Sequence, residues 1–594
     1  MKVSYNWLKW YIPDVPPADK LADIITYHLA EVETVEKVED GDSVLDIKIL
    51  PNRGHDLLSH MGIASEVASL LNISYIDPAP KYKIPESTPT NLKVEIKSDK
   101  CKRYMGRTVR NIEIDKSPEW VKKHLESIGQ RSINNIVDAT NIVMFNCGEP
   151  THVFDADKIK GSLVARQARD GEKVTILGGQ ECALTSADFV VADEEKALII
   201  GGVKGGTAAE VDVGTKNIVL EVGNFDAVAV RKTSMRIGVR TEGSKRWENG
   251  VSPELAPCGM RELSALIAEM CPEAVFEDVV DIYPVKQEII KLPFSSDEIS
   301  KILGLQVSPG EIESILKRYN FEYTGDGDSF DVTIQPLRLD LITKEDMAEE
   351  IGRILGYDKI IPKIPKIKFT PEINDTYSKI RWAKNKLLED GYSEVMTYAF
   401  SDRGDVEVLQ SASDKKFLRT NLADGLKESV KLNHLNTPLL GINEVKIFEI
   451  GTVFEKTGEK IHVAYNKKEK ITETTLEDFC KNMPEDFKIQ SESHNLKIPF
   501  KMWSLFPFIA RDVAVWVPSE VKSKEVSTII RENAGDLVVR GPELFDEFKK
   551  DGKVSYAFRI VFQSQEKTLT DEEVNAVMKP VYESLKAEQG FEIR

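Results

Sequence analysis

The chain has 594 residues, 41% of them hydrophobic and 30% charged, and a formal net charge of −18. That length exceeds what one hydrophobic core serves and predicts about three to five domains, while the charge excludes a long-range positive field that would draw in nucleic acid. The opening MKVSYNWLKWYIPD has no apolar signal core, no stretch approaches the ~20 apolar residues of a membrane span, and six scattered cysteines without a CxxC pair point to free thiols in a reducing cytoplasm.

Residues 1–85 read as an α/β unit. Leu21, Ile24, Ile25 and Leu29 suit one helix face, and VLDIKIL (Val44 to Leu50) alternates as a strand. PNRGHDLLSHMGIASEVASLLN follows as a turn and a helix with Ile63, Val67, Leu70 and Leu71 inward. His55 and His60 have no cluster of further ligands, so a capping or surface role is expected. Residues 91–283 read as a larger mixed domain. NLKVEIKSDKCKRYMGRTVRNIEI suggests paired strands, SPEWVKKHLESIG a helix with Pro118 in its first turn, and KVTIL, FVVAD, ALIIGGV and NIVLEV further strands. The glycines of GGVKGGTAAEVDVG lack the G-K-[ST] ending of a phosphate loop and read as turn residues.

Residues 286–362 form the next unit, with serine-capped helices in SSDEISKILG and SPGEIESILKRYN and a hairpin turning at Gly-Asp in FEYTGDGDSFDVTIQP. Its last stretch, QPLRLDLITKEDMAEEIGRILGY, predicts a helix with Thr343 as N-cap, Asp346 as capping-box partner and Gly356 at the end. Met347, Ile351, Ile354 and Leu355 form its apolar stripe. Asp346, Glu349 and Glu350 lie off that stripe, and Asp340 can fold back over the first turn. Two readings stay open on spacing alone. Acids in a first turn are favoured by the helix dipole by about 0.3–1 kcal/mol each, which is the commoner case; convergent, they would suit a hard cation such as magnesium.

After the proline-spaced linker IPKIPKIKFTPEIND, residues 371–490 read as a helix (YSKIRWAKNKLLEDG) and antiparallel strands including EVKIFEIGTVF. Residues 497–594 follow the order βαββαβ, which is ferredoxin-like. This last piece holds 15 basic and 16 acidic residues, so the negative excess lies upstream of it.

LDIKILPNRGHDLLSHMGIASEVASLL resembles the "ITPNR … LS … GIAREVAALL" segment of the β-subunit family of bacterial-type phenylalanyl-tRNA synthetases, and the likeness continues in order along most of the chain. The resemblance implies a multidomain α+β fold: an N-terminal α/β unit, a mixed editing domain, a small helix/hairpin domain with a metal site, a degenerate, non-catalytic copy of the class II synthetase antiparallel sheet, and a C-terminal ferredoxin-like anticodon-binding domain. VEKVEDGDSVLD runs straight through positions 38–43, where family members carry an inserted OB-fold tRNA-binding domain; that module is expected to be absent. For hydrolytic editing of tyrosine misattached to the phenylalanine tRNA, the resemblance implies His152 in PTHVFD, Glu221 in NIVLEV meeting the tyrosine hydroxyl, Gly205 and Gly206 lining the pocket, and Thr241 in RTEGSKRWE. Gly243 stands where the family usually has alanine, and Glu242 where it has aspartate.

Asp340, Asp346, Glu349 and Glu350 match the family's magnesium ligands beside the catalytic subunit. The class II copy lacks the family's arginine-bearing glycine-rich element, so Arg419 reads as structural, and the copy is shortened over 455–495. FPFIARDVAV and EKTLTDEEV match the anticodon-binding domain, where Arg511, Arg540, Arg559 and Lys567 are expected to track RNA phosphates. The implied complex is a cytoplasmic α₂β₂ heterotetramer using ATP and magnesium to charge tRNA(Phe), with aminoacylation in the α subunit and no membrane partner. The alternative is a free-standing tRNA-binding or editing protein without α.

Overall fold

Strands Val32–Lys37 and Ser43–Ile47 pair antiparallel as far as Lys37 opposite Ser43, so residues 38–42 alone join them. The computed structural model describes residues 1–594 apart from 39–40, 84, 370–371, 412, 469, 486, 488–499 and 501. Part of the 455–495 segment therefore lies outside the described residues. The chain divides into two compact units, 1–364 and 365–594. Among the described residues no helix is long and apolar enough to cross a membrane.

In the first unit the hairpin pairs with Lys2–Ser4 and is covered by helices Ala18–His28 and His60–Leu71. Beyond it stand two facing sheets. One runs in the order Lys204–Gly205, Ala197–Ile200, Phe189–Ala192, Leu163–Gln167, Val94–Ile96; the other in the order Ser87–Thr88, Val275–Glu277, Cys101–Arg110, Ile218–Phe225, His152–Asp155, with Val280–Ile282 also paired to Cys101–Arg110. Ile218–Phe225 is buried at all eight positions because both of its faces are covered. Val219 and Phe225 pack with Tyr104 and Phe154 against Val190 and Leu198 of the facing sheet. Leu220 and Val222 face the other way, into a core shared with Ile142, Leu263 and the N-terminal Trp7 and Ile63. The expected pairing of Val94–Ile96 with Cys101–Arg110 is corrected here. The first lies parallel to Leu163–Gln167 and the second antiparallel to Ile218–Phe225, so the chain crosses from one sheet to the other at Ser98–Lys100.

The unit closes with the sheet Lys291–Ser295, Ser329–Thr333, Glu322–Asp326 and three capped helices. Capping boxes form as expected at Ser295/Glu298, Ser308/Glu311 and Thr343/Asp346. Gly327, at φ +63°, makes the first residue of the two-residue hairpin turn.

The second unit holds the sheet Ser393–Glu394, Ile447–Glu455, Gly458–Lys467, Lys470–Thr475 and, separately, Val538–Lys550, Lys553–Phe562, Ile509–Pro518, Glu592–Ile593 with helices Ser523–Asn533 and Asp571–Ala587. This second order is that of a ferredoxin-like βαββαβ domain. Arg419 is structural: it donates to Glu449 at 2.7 Å and to the Thr452 carbonyl at 3.0 Å.

Candidate functional site

The antiparallel register sets Glu221 directly opposite His152, and cross-strand partners project from the same face of a sheet. Glycine is required on the facing edge strand. A Cβ on Gly205 would lie 2.6 Å from His152 Cε1, and one on Gly206 would lie 2.2 Å from the Leu198 carbonyl oxygen. Thr241 caps the helix Glu242–Trp247 and donates its hydroxyl to the Val203 carbonyl at 2.9 Å, which ties that helix to the glycine strand. Gly243 lies against Pro150, two residues before His152. All six expected residues thus come together where the two sheets meet.

Their electrostatics are those of a neutral site. Burial pushes the Glu221 carboxyl up to about 8, against the pull of the Tyr104 hydroxyl, so it carries its proton at neutral pH. Burial pushes His152 down to about 4, leaving a neutral imidazole whose edge meets Phe154. Glu221 Oε1 and the Tyr104 hydroxyl are sealed from solvent and, among the described residues, neither makes a well-formed hydrogen bond, although the two groups lie close enough to interact. Such a site can recognise a hydroxyl and hold a water; it offers no strong base. Tyr104 was missed from sequence, although its place in the run KRYMGR two residues before Gly106 puts it on the same face as Glu221.

The four acids around the helix Lys344–Leu355 separate into two kinds. Glu350 is buried, contrary to its expected place off the apolar stripe: Arg53, Arg338 and Arg353 all reach it, at 3.3, 3.0 and 2.6 Å. Asp340 accepts from Arg338 at 2.9 and 2.7 Å and lies 3.0 Å from His55 Nε2. Glu66 closes the knot, 2.6 Å from both Arg53 and Arg353. Burial alone would raise Asp340 and Glu66, yet these cationic partners hold both well below the usual carboxylate range. Asp346 uses Oδ2 on the amides of Ile342 and Thr343, and among the described residues Oδ1 has no partner and the exposed Glu349 carboxylate makes no ion pair. Asp340, Asp346, Glu349 and Glu350 nevertheless line one cavity of about 320 Å³ with Arg53, His55 and Asn52.

The residues do not make a four-carboxylate cage, and among the described residues no group of three or more His, Cys, Asp or Glu side chains is arranged to hold a metal ion. Two available carboxylates in a net acidic cavity do fit magnesium, which keeps most of its waters. His55 and His60 depart from the expected capping or surface role. His55 is buried on Asp340. His60 is fully buried, stacks on Trp7 at 4.0 Å and bridges the Ser4 amide and the Phe145 carbonyl; burial lowers it to about 3.

Each of the four cations of the C-terminal domain expected to meet RNA has a carboxylate partner. Arg511 pairs with Asp571, Arg540 with Glu543, Arg559 bidentately with Asp512, and Lys567 with Glu573. The outer sheet face instead presents aromatics. Trp516 and Phe548 have ring centroids 6.0 Å apart, the Arg559 guanidinium lies 5.0 Å over Phe545, and Phe545 and Phe548 are each 53% exposed. The alternation Val513, Val515, Val517 inward already turns Trp516 outward; a register shift at Leu544/Asp546 obscures Phe545 and Phe548.

Four family models match the chain: "B3/4 domain" at residues 100–272, "tRNA synthetase B5 domain" at 292–357, "Phenylalanyl tRNA synthetase beta chain CLM domain" at 360–474 and "Ferredoxin-fold anticodon binding domain" at 504–594. The chain is 30% identical to the phenylalanine–tRNA ligase beta subunit of Clostridium tetani, over 94% of this chain and 81% of that protein. It is also 30% identical to the protein of that name from Streptococcus thermophilus (strain CNRZ 1066), over 93% and 80%. A crystal structure of an N-terminal fragment of the phenylalanyl-tRNA synthetase beta subunit from Pyrococcus horikoshii aligns with a TM-score of 0.36 at 16% identity, covering 60% of this chain and 99% of that one.

Proposed function

Because the chain belongs to the phenylalanine–tRNA ligase beta-subunit family, we propose that it edits and scaffolds for that ligase, hydrolysing tyrosyl-tRNA at the His152/Glu221 cluster. A beta subunit implies an alpha partner and a tRNA, and the reaction of the family uses ATP and magnesium. The reading carries an α₂β₂ heterotetramer in the cytoplasm that charges tRNA(Phe), with aminoacylation in α. The domains run 1–85, 91–283, 286–362, 371–490 and 497–594, with no OB-fold module between the strands that residues 38–42 join.

The single observation that carries the editing role is that His152 stands opposite the buried, protonated carboxyl of Glu221, with Gly205 close against the His152 ring. A buried neutral acid can pair with a phenol hydroxyl and is left unpaired by a phenyl ring, which discriminates far better than an apolar pocket. In the hydrolysis, water oxygen bonds to the ester carbonyl carbon, the bond to the ribose oxygen breaks, and that oxygen takes up a proton. Neutral His152 orients the water without needing to be a strong base. Deacylation of tyrosyl-tRNA by the assembled complex tests this, with His152→Ala and Glu221→Ala beside it; equal rates in all three would remove the assignment.

Asp346 and Glu349 would hold the magnesium, with Asp340 and Glu350 fixed behind them by arginines. Bound there, the ion would supply positive charge that braces the contact with α. In the C-terminal domain, Trp516, Phe545 and Phe548 would stack unpaired bases of the tRNA, with Arg511, Arg540, Arg559 and Lys567 around them meeting phosphates by exchanging their carboxylate partners.

A further inference from the structure

We infer that Tyr104 is a positioning residue for this discrimination: its hydroxyl holds the sealed Oε1 side of Glu221 so that Oε2 faces the hydroxyl of the incoming side chain. The inference rests on the editing reading above and names a residue outside the expected pocket set.

Its basis is geometric. Tyr104 is wholly buried, and its hydroxyl and Glu221 Oε1 are both sealed in the core, near each other but without a well-formed hydrogen bond. The ligand hydroxyl is assigned to Oε2, the carboxyl oxygen other than the sealed, unpaired Oε1. The strand register places Tyr104 opposite Gly223 and Glu221 opposite Gly106, so the phenol and the carboxyl lie on one diagonal of the same face. A Cβ on Gly106 would stand 3.9 Å from the Tyr104 ring, so the phenol borders the position directly opposite Glu221.

Buried polar atoms in native proteins are almost always paired, so two orphans side by side call for an explanation. A ligand hydroxyl supplies one. When it engages Oε2, the carboxyl settles with Oε1 accepting from Tyr104, and both buried groups are satisfied together. A phenyl ring cannot complete this pair. The titratable groups facing Glu221 are Tyr104 and Cys101 from Cys101–Arg110 and His152 from the other neighbouring strand; none is a cation. Tyr104 is thus the neighbour whose removal changes the acidity of Glu221. Its hydroxyl favours the ionised carboxylate, so losing it raises the carboxyl further.

The test is Tyr104→Phe in the assembled complex, assayed for deacylation of tyrosyl-tRNA and phenylalanyl-tRNA from pH 6 to 10. The expected result is a roughly tenfold fall in the tyrosyl-over-phenylalanyl ratio of kcat/KM, the size of one hydrogen bond to a buried carboxyl. The pH at which selectivity fades moves upward, and the unfolding temperature does not fall, because the variant deletes an unpaired buried hydroxyl. In a Glu221→Gln background the same substitution adds no further loss of selectivity. An unchanged ratio and pH profile with the fold intact would overturn the inference, as would an equal loss in the Glu221→Gln background. A wild-type complex with no preference for the tyrosyl ester would instead overturn the editing reading itself.

Discussion

Glu221 and Glu66 are two glutamates of one chain, 2% and 4% exposed, held in opposite charge states. Glu221 faces a tyrosine, a histidine and glycine backbone, and burial keeps it protonated. Glu66 lies as deep, but Arg53 and Arg353 reach it at 2.6 Å and keep it ionised. Burial is common to both, so the partners decide the charge. One region keeps a neutral acid ready for a ligand; the other uses its acids to fasten the N-terminal unit to the helix Lys344–Leu355.

The largest effect expected from this contrast comes from stranding an ion. Arg353→Met removes one of the two guanidiniums that Glu66 and Glu350 share, leaving Arg53 alone between them, and should destabilise the first unit by about 3–5 kcal/mol. Glu221→Gln, which replaces a neutral acid by a neutral amide, should change stability by less than about 1 kcal/mol. Urea denaturation of the two variants compares them directly. Equal losses would mean that Glu221 is also ionised in the folded chain.

The same contrast fixes how stability responds to pH. The carboxyls of Glu221 and Glu262 are pushed up to about 8 by burial. The unfolded chain releases those protons near the ordinary glutamate value, so these groups withdraw stability as pH rises from there toward 8 and add no further change beyond it. Asp340 and Glu66 are depressed, so their contribution is present above the unfolded carboxylate values and is lost as pH falls below them. Thermal scans should therefore show a fall at both ends. Glu221→Gln should flatten only the alkaline limb, and a curve lowered at the acid end by that variant would contradict the assignment.

What could be seen in the sequence follows the range of the interactions. The capping boxes at Ser295, Ser308 and Thr343 involve residues three positions apart, and all three form. The alternating valines of ARDVAVWVP and the capped helix from Thr570 give the C-terminal topology. The arginine knot had no such signal. Arg53 and Glu350 are 297 positions apart; Glu350, three residues after Met347 and four before Ile354, stands at a spacing that turns it inward, but nothing in the chain names its arginine partners. The parting of Val94–Ile96 from Cys101–Arg110 was hidden likewise, since adjacent strands usually pair and local alternation does not say with which sheet. The six pocket residues were placed by resemblance, whereas Tyr104, which carries no motif, needed the register.

The next smaller effects divide the acids and the C-terminal face. Asp346→Asn with Glu349→Gln removes the two available carboxylates without touching the knot, and should weaken magnesium-dependent assembly with α several-fold at unchanged thermal stability. Asp340→Asn should instead lower stability, because it removes the bidentate carboxylate partner of buried Arg338 and leaves it only Glu350. Sedimentation with and without magnesium distinguishes the two, and identical behaviour of both variants would return Asp346 and Glu349 to an ordinary acidic helix start. On the sheet, Trp516→Ala or Phe548→Ala should cost about 1–3 kcal/mol of tRNA binding per stacked base. Lys567→Ala, which removes an exposed cation already paired to Glu573, should cost less; the reverse order, measured by filter binding, would favour phosphate contact over stacking.

The smallest effect expected is at Gly243, where the chain departs from the alanine usual in the family. A Cβ there would meet Pro150 Cβ and the Thr241 hydroxyl at 3.7 Å, ordinary van der Waals contact, and no positive φ demands glycine. Gly205 is the opposite case, since a Cβ there would drive into the His152 ring at 2.6 Å. Gly243→Ala should therefore keep the fold and change tyrosyl-tRNA deacylation by no more than about twofold, because one methyl in ordinary contact neither creates strain nor removes a buried group. Gly205→Ala should abolish deacylation by displacing His152. If Gly243→Ala instead sharpened selectivity strongly, the extra width left by glycine would be the pocket's main weakness, and the Glu221 pair would carry less of the discrimination than its burial implies.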